Sequence, residues 1–364
     1  GLFSPPIYPL KFVVESMLCS IPVLAVLVGT MRRIASEQIF LSTEEDVIIL
    51  SMGNYYVGTH CLQMDSTSVS VLRDEGGRVV YDTSMLLAMR SGLEDGVRIT
   101  FESGVERRQP IVRLLITAVN DCMDNVKKTL RRESMRCEAI VMSSPHQIEL
   151  RQLKGAELEE AVIGSNLEDT VSGHSHLGED VLLLRGRPRC SPTSDTSQIG
   201  RLMSTLLKQG FDAMLVCTLS AAKSGKERRR LESRWRRIRT KEKRREDSLA
   251  DQAEKHNLLG KYRTIQDNAG WFDSTVYIRM QNTSRDGSLS RMDGLRGIIA
   301  SLWGNEEFEI KKYEVDRPTL YRMITRGHIK KQRLHTNDLV AYVNLPVQKL
   351  PVISRTHSPI FEIP

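Results

Sequence analysis

Cysteine is scarce and scattered in this 364-residue chain. The six, Cys19, Cys61, Cys122, Cys137, Cys190 and Cys217, stand singly, with no C-x-x-C and no repeated interval. That usage excludes a disulfide framework and a thiolate zinc site, and reads as reduced thiols placed in cores. The Walker A phosphate loop is missing as well. Its nearest approach, Ser220-Ala-Ala-Lys-Ser-Gly-Lys-Glu227, lacks the first glycine and ends in a carboxylate where a hydroxyl must hold magnesium. Neither H-E-x-x-H nor G-x-S-x-G occurs, so no catalytic signature is readable, the chain is not expected to be an enzyme by itself, and no cofactor is expected. His174, His176, Glu179 and Asp180 lie close together, but in a Gly/Ser-rich connector that reads as an ordinary loop and not as a metal site.

The apolar share is 40%, low for a globular chain, yet over this length it suffices for two modest cores and excludes disorder throughout. A formal charge of +7 invites a nucleic-acid reading. It is not spread over the molecule. Residues 223–247 hold thirteen Lys or Arg against five acids, so the rest of the chain is nearly neutral. A histone-like or generally polybasic protein is excluded, and one basic element remains to be explained.

Near the front, Phe12 to Met31 form a twenty-residue apolar run whose single charge is Glu15, followed at once by Arg32 and Arg33. Such a run, if helical, spans the ~30 Å hydrocarbon layer. The trailing arginines then place the body in the cytoplasm. The expectation is a single-pass cell-membrane segment over residues 1–34; the competing readings are a signal peptide, whose charges should precede the apolar core, and a buried soluble helix. The first residue is Gly1, so the natural start is expected upstream.

The body reads as the same α+β unit twice. Residues 46–163 give a strand from Tyr55, a helix over Ser84 to Ser91, strands over Val97–Phe101 and Ile111–Val119, a helix from Asn120 or Asp121 to about Arg132, and a closing strand, Cys137–Ser143. A short amphipathic helix, Ala156 to Ile163, trails it. Residues 179–334 repeat the order with a strand from Asp180, a helix over Gln198 to Gln209, strands over Phe211–Leu219 and Ser274–Met280, a helix from Ser288 to Leu302, and a strand over Phe308–Val315. The order βαββαβ is that of a ferredoxin-like fold, and its repetition predicts tandem ferredoxin-like domains. Residues 335–364 are proline-rich and read as a connector.

The repeat gives the basic element an address between the second and third strands of the second unit. The first unit has only Arg107 and Arg108 there. Those strands are expected to be antiparallel neighbours, so the insertion over 223–268 must return to its origin, which predicts a helical hairpin broken near Glu246–Asp247–Ser248. Leu231, Trp235 and Ile238 fall on one stripe of the outbound helix, and Leu249, Ala253 and Leu258 or Leu259 answer from the return. The cations Arg228, Arg229, Arg230, Arg234, Arg236, Arg237, Arg239, Lys241, Lys243, Arg244 and Arg245 then face outward. Clustered guanidinium suits phosphate, so DNA is the leading partner. A solvated or protein-facing surface and anionic lipid headgroups are the alternatives.

A family resemblance enters near the C-terminus. Asn337-Asp-Leu-Val-Ala-Tyr-Val-Asn-Leu-Pro346 resembles the segment that closes the N-terminal region of conjugative DNA-transfer ATPases of the type IV secretion and HerA–FtsK class. Gln209-Gly-Phe-Asp-Ala-Met-Leu-Val216, Gly294-Leu-Arg-Gly-Ile-Ile-Ala-Ser-Leu-Trp303 and Phe361-Glu-Ile-Pro364 are similar to elements around that junction. The resemblance covers about half the chain. It implies a membrane-attached, non-catalytic N-terminal region of a hexameric motor, serving assembly and substrate engagement among the protein partners of a transfer complex. Without Walker motifs the chain is not the motor itself. The alternative is a standalone membrane-bound adaptor or structural component.

Overall fold

The computed structural model describes residues 39–44, 46–68, 83–143, 147–164, 179–190, 197–222, 270–281, 288–313 and 315–344, and within the insertion 233, 236–237 and 239–240. The chain is a mixed α/β protein built on an antiparallel sheet. Its elements run β1 (Ile39–Thr43), β2 (Ile48–Met52), β3 (Tyr55–Ser68), α1 (Ser84–Ser91), β4 (Val97–Glu106), β5 (Gln109–Asn120), α2 (Met123–Met142), β6 (Gln147–Gln152) and α3 (Gly155–Val162). They continue with β7 (Glu179–Gly186), α4 (Gln198–Gln209), β8 (Ala213–Ala221), β9 (Trp271–Gln281), α5 (Ser288–Trp303), β10 (Phe308–Tyr313), α6 (Arg317–Ile324), β11 (Gln332–His335) and α7 (Thr336–Val343).

Strand order along the sheet is β1-β2-β3-β5-β4-β8-β9-β7-β10, with β6 also on β3 and β11 also on β9. In the first half β6, β3, β5 and β4 lie side by side in that order, and in the second half β10, β7, β9 and β8 do the same. The two arrays meet at β4 and β8, which pair antiparallel from Arg98↔Ser220 to Val105↔Ala213. The halves therefore share one continuous sheet.

Alternation along the central strands divides the side chains between two faces. One face carries Ile99 and Phe101 of β4, Leu114 and Ile116 of β5, and Leu215 and Cys217 of β8. It is covered by α1, α2, α4, α5 and α7, so a single apolar core runs beneath both halves. On the other face α3 and α6 cover two smaller clusters, one per half. Leu320 and Ile324 of α6 belong to the first cluster and Met323 to the second, so this helix straddles the join.

Between those two clusters the second face is polar. Thr59 meets Thr117 at 3.2 Å and Thr100 meets Thr218 at 3.1 Å, hydroxyl to hydroxyl across neighbouring strands. Glu102 is fully buried there, 2.9 Å from the guanidinium of Arg326. Burial alone pushes its carboxyl up, but Arg326, Arg279 and Arg113 together overcome that and hold it below the ordinary value. Arg326 also donates to the carbonyls of Met323 and Ala161, which fixes the end of α6 to α3 of the first half.

Local signals explain several boundaries. Ser197 caps α4 by accepting from the Gly200 amide, and Gly210, left-handed at φ 67°, ends it. Asp316 caps α6, with Pro318 in its first turn. The β4–β5 turn places both Arg107 and Arg108 in the left-handed region, as a two-residue hairpin turn of the primed type requires.

Three expectations are corrected. The single-pass membrane placement fails because, among the described residues, no helix is long and apolar enough to cross a membrane. The longest described helix, α2, has 20 residues but carries charge at Asp124, Lys127, Lys128, Arg131, Arg132, Glu133, Arg136 and Glu138. The run Phe12 to Met31 lies outside the described residues. The strand expected over Cys137–Ser143 is instead the last part of α2, because Cys137 and Val141 continue the buried stripe of Val126 and Leu130. Its place beside β3 is taken by β6. The connector expected from residue 335 begins as a helix, α7, with Leu339 to Val343 buried; residues beyond 344 lie outside the described set.

Candidate nucleic-acid interface

The basic insertion leaves one strand and returns on its neighbour. β8 and β9 are antiparallel partners through Ala221↔Phe272, so the two stems are adjacent where the insertion departs. Within it, Arg236, Arg237 and Arg239 are helical and exposed, and Thr240 Oγ1 donates to the Arg236 carbonyl at 2.8 Å. Arg228, Arg229, Arg230, Arg234, Lys241, Lys243, Arg244 and Arg245 lie outside the described residues, as do the stripe residues Leu231, Trp235 and Ile238.

The stems are held from both faces of the sheet. From α1, Arg90 Nε donates to the carbonyl of Trp271 at 2.8 Å and Nη2 to that of Ala222 at 3.3 Å, so one guanidinium ties the outgoing and returning chains. Burial lowers the pKa of Arg90, and the nearby Asp273 carboxylate opposes that shift. Trp271 packs edge-on to His335, with ring centroids 5.3 Å apart. Gly270 leaves room for that ring: a Cβ there would lie 2.3 Å from His335 Nε2 and would push the imidazole aside.

On the opposite face, His328 spans the two stem strands. Its Nε2 lies 2.8 Å from Ser220 Oγ of β8 and its Nδ1 3.1 Å from Thr275 Oγ1 of β9. Each hydroxyl also has a backbone acceptor, Thr275 the Lys330 carbonyl at 3.1 Å and Ser220 the Asp273 carbonyl at 3.5 Å, so either tautomer of the ring is satisfied. Burial, reinforced by Lys331 and Arg98, pushes the His328 pKa down to about 4, with Asp273 opposing, so the ring is neutral near pH 7. A serine on a neutral imidazole resembles half of a nucleophilic site. The position that a carboxylate would hold on Nδ1 is filled by a threonine hydroxyl, so a proton taken from Ser220 would gain little stabilisation. The geometry is that of a strap across β8 and β9.

Arg90, His328 and the cations at 322–333 were not legible in the sequence, because nothing local links them to an insertion that lies well away from them along the chain. Among the described residues, no group of three or more His, Cys, Asp or Glu side chains is placed to hold a metal ion; His174 and His176 lie outside that set. A small apolar cleft, lined by residues such as Leu62, Met85, Phe101, Leu114 and Val141, opens between the first half's strands and helices, remote from the insertion.

No protein-family model and no curated protein sequence matches this chain. Among solved structures, the crystal structure of 6-hydroxy-D-nicotine oxidase from Arthrobacter nicotinovorans is similar at 11% identity and a TM-score of 0.25, covering 79% of this chain and 62% of that one. The match thus spans less than two thirds of that oxidase, and a likeness this slight carries no argument about fold or activity.

Proposed function

We propose that this chain is the non-motor N-terminal region of a DNA-translocating ATPase of the conjugative class, in which the arginine-rich insertion engages the nucleic-acid substrate and the body serves assembly. The two halves are read as tandem ferredoxin-like units. Support for that reading is the βαββαβ order in each half together with the matching lateral order of the strands. By the family resemblance the assembly is a homo-oligomer of six, docked on other proteins of a transfer complex. Neither ATP hydrolysis nor a cofactor is assigned to this chain.

One observation carries the proposal: exposed helical arginines, Arg236, Arg237 and Arg239, on an insertion whose two stems are clamped to a rigid sheet. Guanidinium groups displace condensed counterions from phosphates, so binding should weaken linearly in log–log form as salt rises. The test is fluorescence anisotropy of a labelled DNA duplex across a salt series. Replacing the three arginines with glutamine should lower the slope by about 2.7, at ~0.9 per phosphate contact. Binding with an unchanged slope, or no salt-dependent binding by the parent protein, would reject the proposal.

A further inference from the structure

The fold brings a second set of cations to the foot of the insertion. β11 pairs with the first residues of β9, placing Arg333 opposite Asp273 and His335 opposite Trp271. Trp271 and Asp273 sit on the returning stem itself. Asp273 is a buried carboxylate, and two cations converge on it, Lys331 Nζ at 3.1 Å and Arg333 Nε at 3.3 Å. One negative charge therefore faces two positive ones. Lys331 remains exposed despite its pairing, and Lys330 beside it is exposed too. Arg322 of α6 is also exposed, and its Nη1 lies 3.4 Å from the carbonyl of Ile329, which holds it against the same loop.

The loop cannot swing away from the stems without breaking several ties. His328 bridges Ser220 and Thr275, Thr275 donates to the Lys330 carbonyl, and Ser274 Oγ donates to the Gln332 carbonyl at 3.3 Å. A cationic surface of fixed geometry is thus continuous with the point where the basic insertion begins and ends. Preorganised cations contact a polyanion with less ordering cost than flexible ones.

We infer that Arg322, Lys330, Lys331 and Arg333 form a body-mounted second contact for the phosphate backbone of nucleic acid held by the insertion. This inference rests on the reading of the insertion as a nucleic-acid-binding element. A phosphodiester backbone suits the site better than an isolated anion, because the cations are laid out along a loop and a helix and are not gathered around one point.

The test compares variants of the full chain by anisotropy with a labelled duplex of about 30 base pairs over a salt series. The foot variant, Arg322→Gln with Lys330→Gln and Lys331→Gln, should lose about 2.7 from the log–log slope, and Arg322→Gln with Lys330→Gln alone about 1.8. The two-residue variant leaves both pairs to Asp273 intact, so its melting temperature should match the parent. Neutralising Arg236, Arg237 and Arg239 should lower the slope independently, and the combined variant should show the sum. A foot variant with the parent's slope, alongside an insertion variant that loses it, overturns this inference and leaves the insertion reading standing. Loss in neither variant overturns both. Polyglutamate competing as strongly as the duplex would assign the foot to an acidic polypeptide and overturn it as well.

Discussion

Single side chains settle how this protein should respond to acid. His328 is neutral in the fold, with its pKa pushed down to about 4 from an ordinary 6.5. Above pH 6.5 neither the folded nor the unfolded chain carries that charge, so no stability is lost there. As pH falls from 6.5 toward 4, the unfolded chain takes up a proton that the fold refuses, and stability declines. His60, buried against the Asp46 carbonyl, is shifted the same way by burial and adds to the effect. Glu102 behaves differently: its lowered pKa preserves its contribution until the pH drops below the ordinary carboxylate range. Melting temperature should therefore fall between pH 6.5 and 4, and the fall should be shallower in His328→Gln; identical profiles would contradict this account. Nothing in the sequence marks His328 for this role. A histidine after Arg326 and Gly327 reads as a loop residue, and its partners Ser220 and Thr275 lie 108 and 53 positions away.

Elements were the most legible level. The periods of two and 3.6 locate α1, α4, α5 and both central strand pairs within a few residues, most sharply α4, whose amphipathic pattern is strong and whose ends are marked by Ser197 and Gly210. The failure at Cys137–Ser143 has a physical cause. A short apolar run satisfies a strand or a buried helix equally, and the choice fell to the stripe that begins at Val126. The insertion's address was legible for another reason: the first half closes the same hairpin with two residues, Arg107 and Arg108. That comparison has a direct test. Joining Ala222 to Trp271 through Asn-Gly, in place of residues 223–270, should leave the body folded. β8 and β9 already pair up to Ala221↔Phe272, and loop-closure entropy changes slowly with length. Circular dichroism and melting should resemble the parent, while duplex binding keeps only the part carried by the foot. A body that no longer folds would show that the insertion belongs to the core.

At the scale of the whole molecule, the decisive feature is the β4–β8 seam that fuses the two halves into one sheet. Gly104 is the residue that permits it. A Cβ there would lie 2.1 Å from the Ala213 carbonyl oxygen and 2.8 Å from Met214 Cα, both backbone atoms that can move only by parting the strands. Gly104→Ala should therefore cost about 2 kcal/mol or more, read by chemical denaturation, with loss of cooperativity as the halves uncouple. An unchanged midpoint would mean that the seam is looser than this geometry. The amino-acid sequence by itself determined the places of α1, α4, α5 and the central strands, and the concentration of positive charge in one insertion, because periodicity and composition are local quantities; it also put every cysteine in a core, which holds for Cys61, Cys137 and Cys217 but not for the exposed Cys122 and Cys190. Only the tertiary structure decided which strand edges meet, that α6 and α7 close the body, and that Arg90, His328 and Lys330 gather at the foot of the insertion. Strand alternation fixes the face a side chain occupies but not the partner across an edge, and that partner is chosen by contacts between residues far apart in the chain.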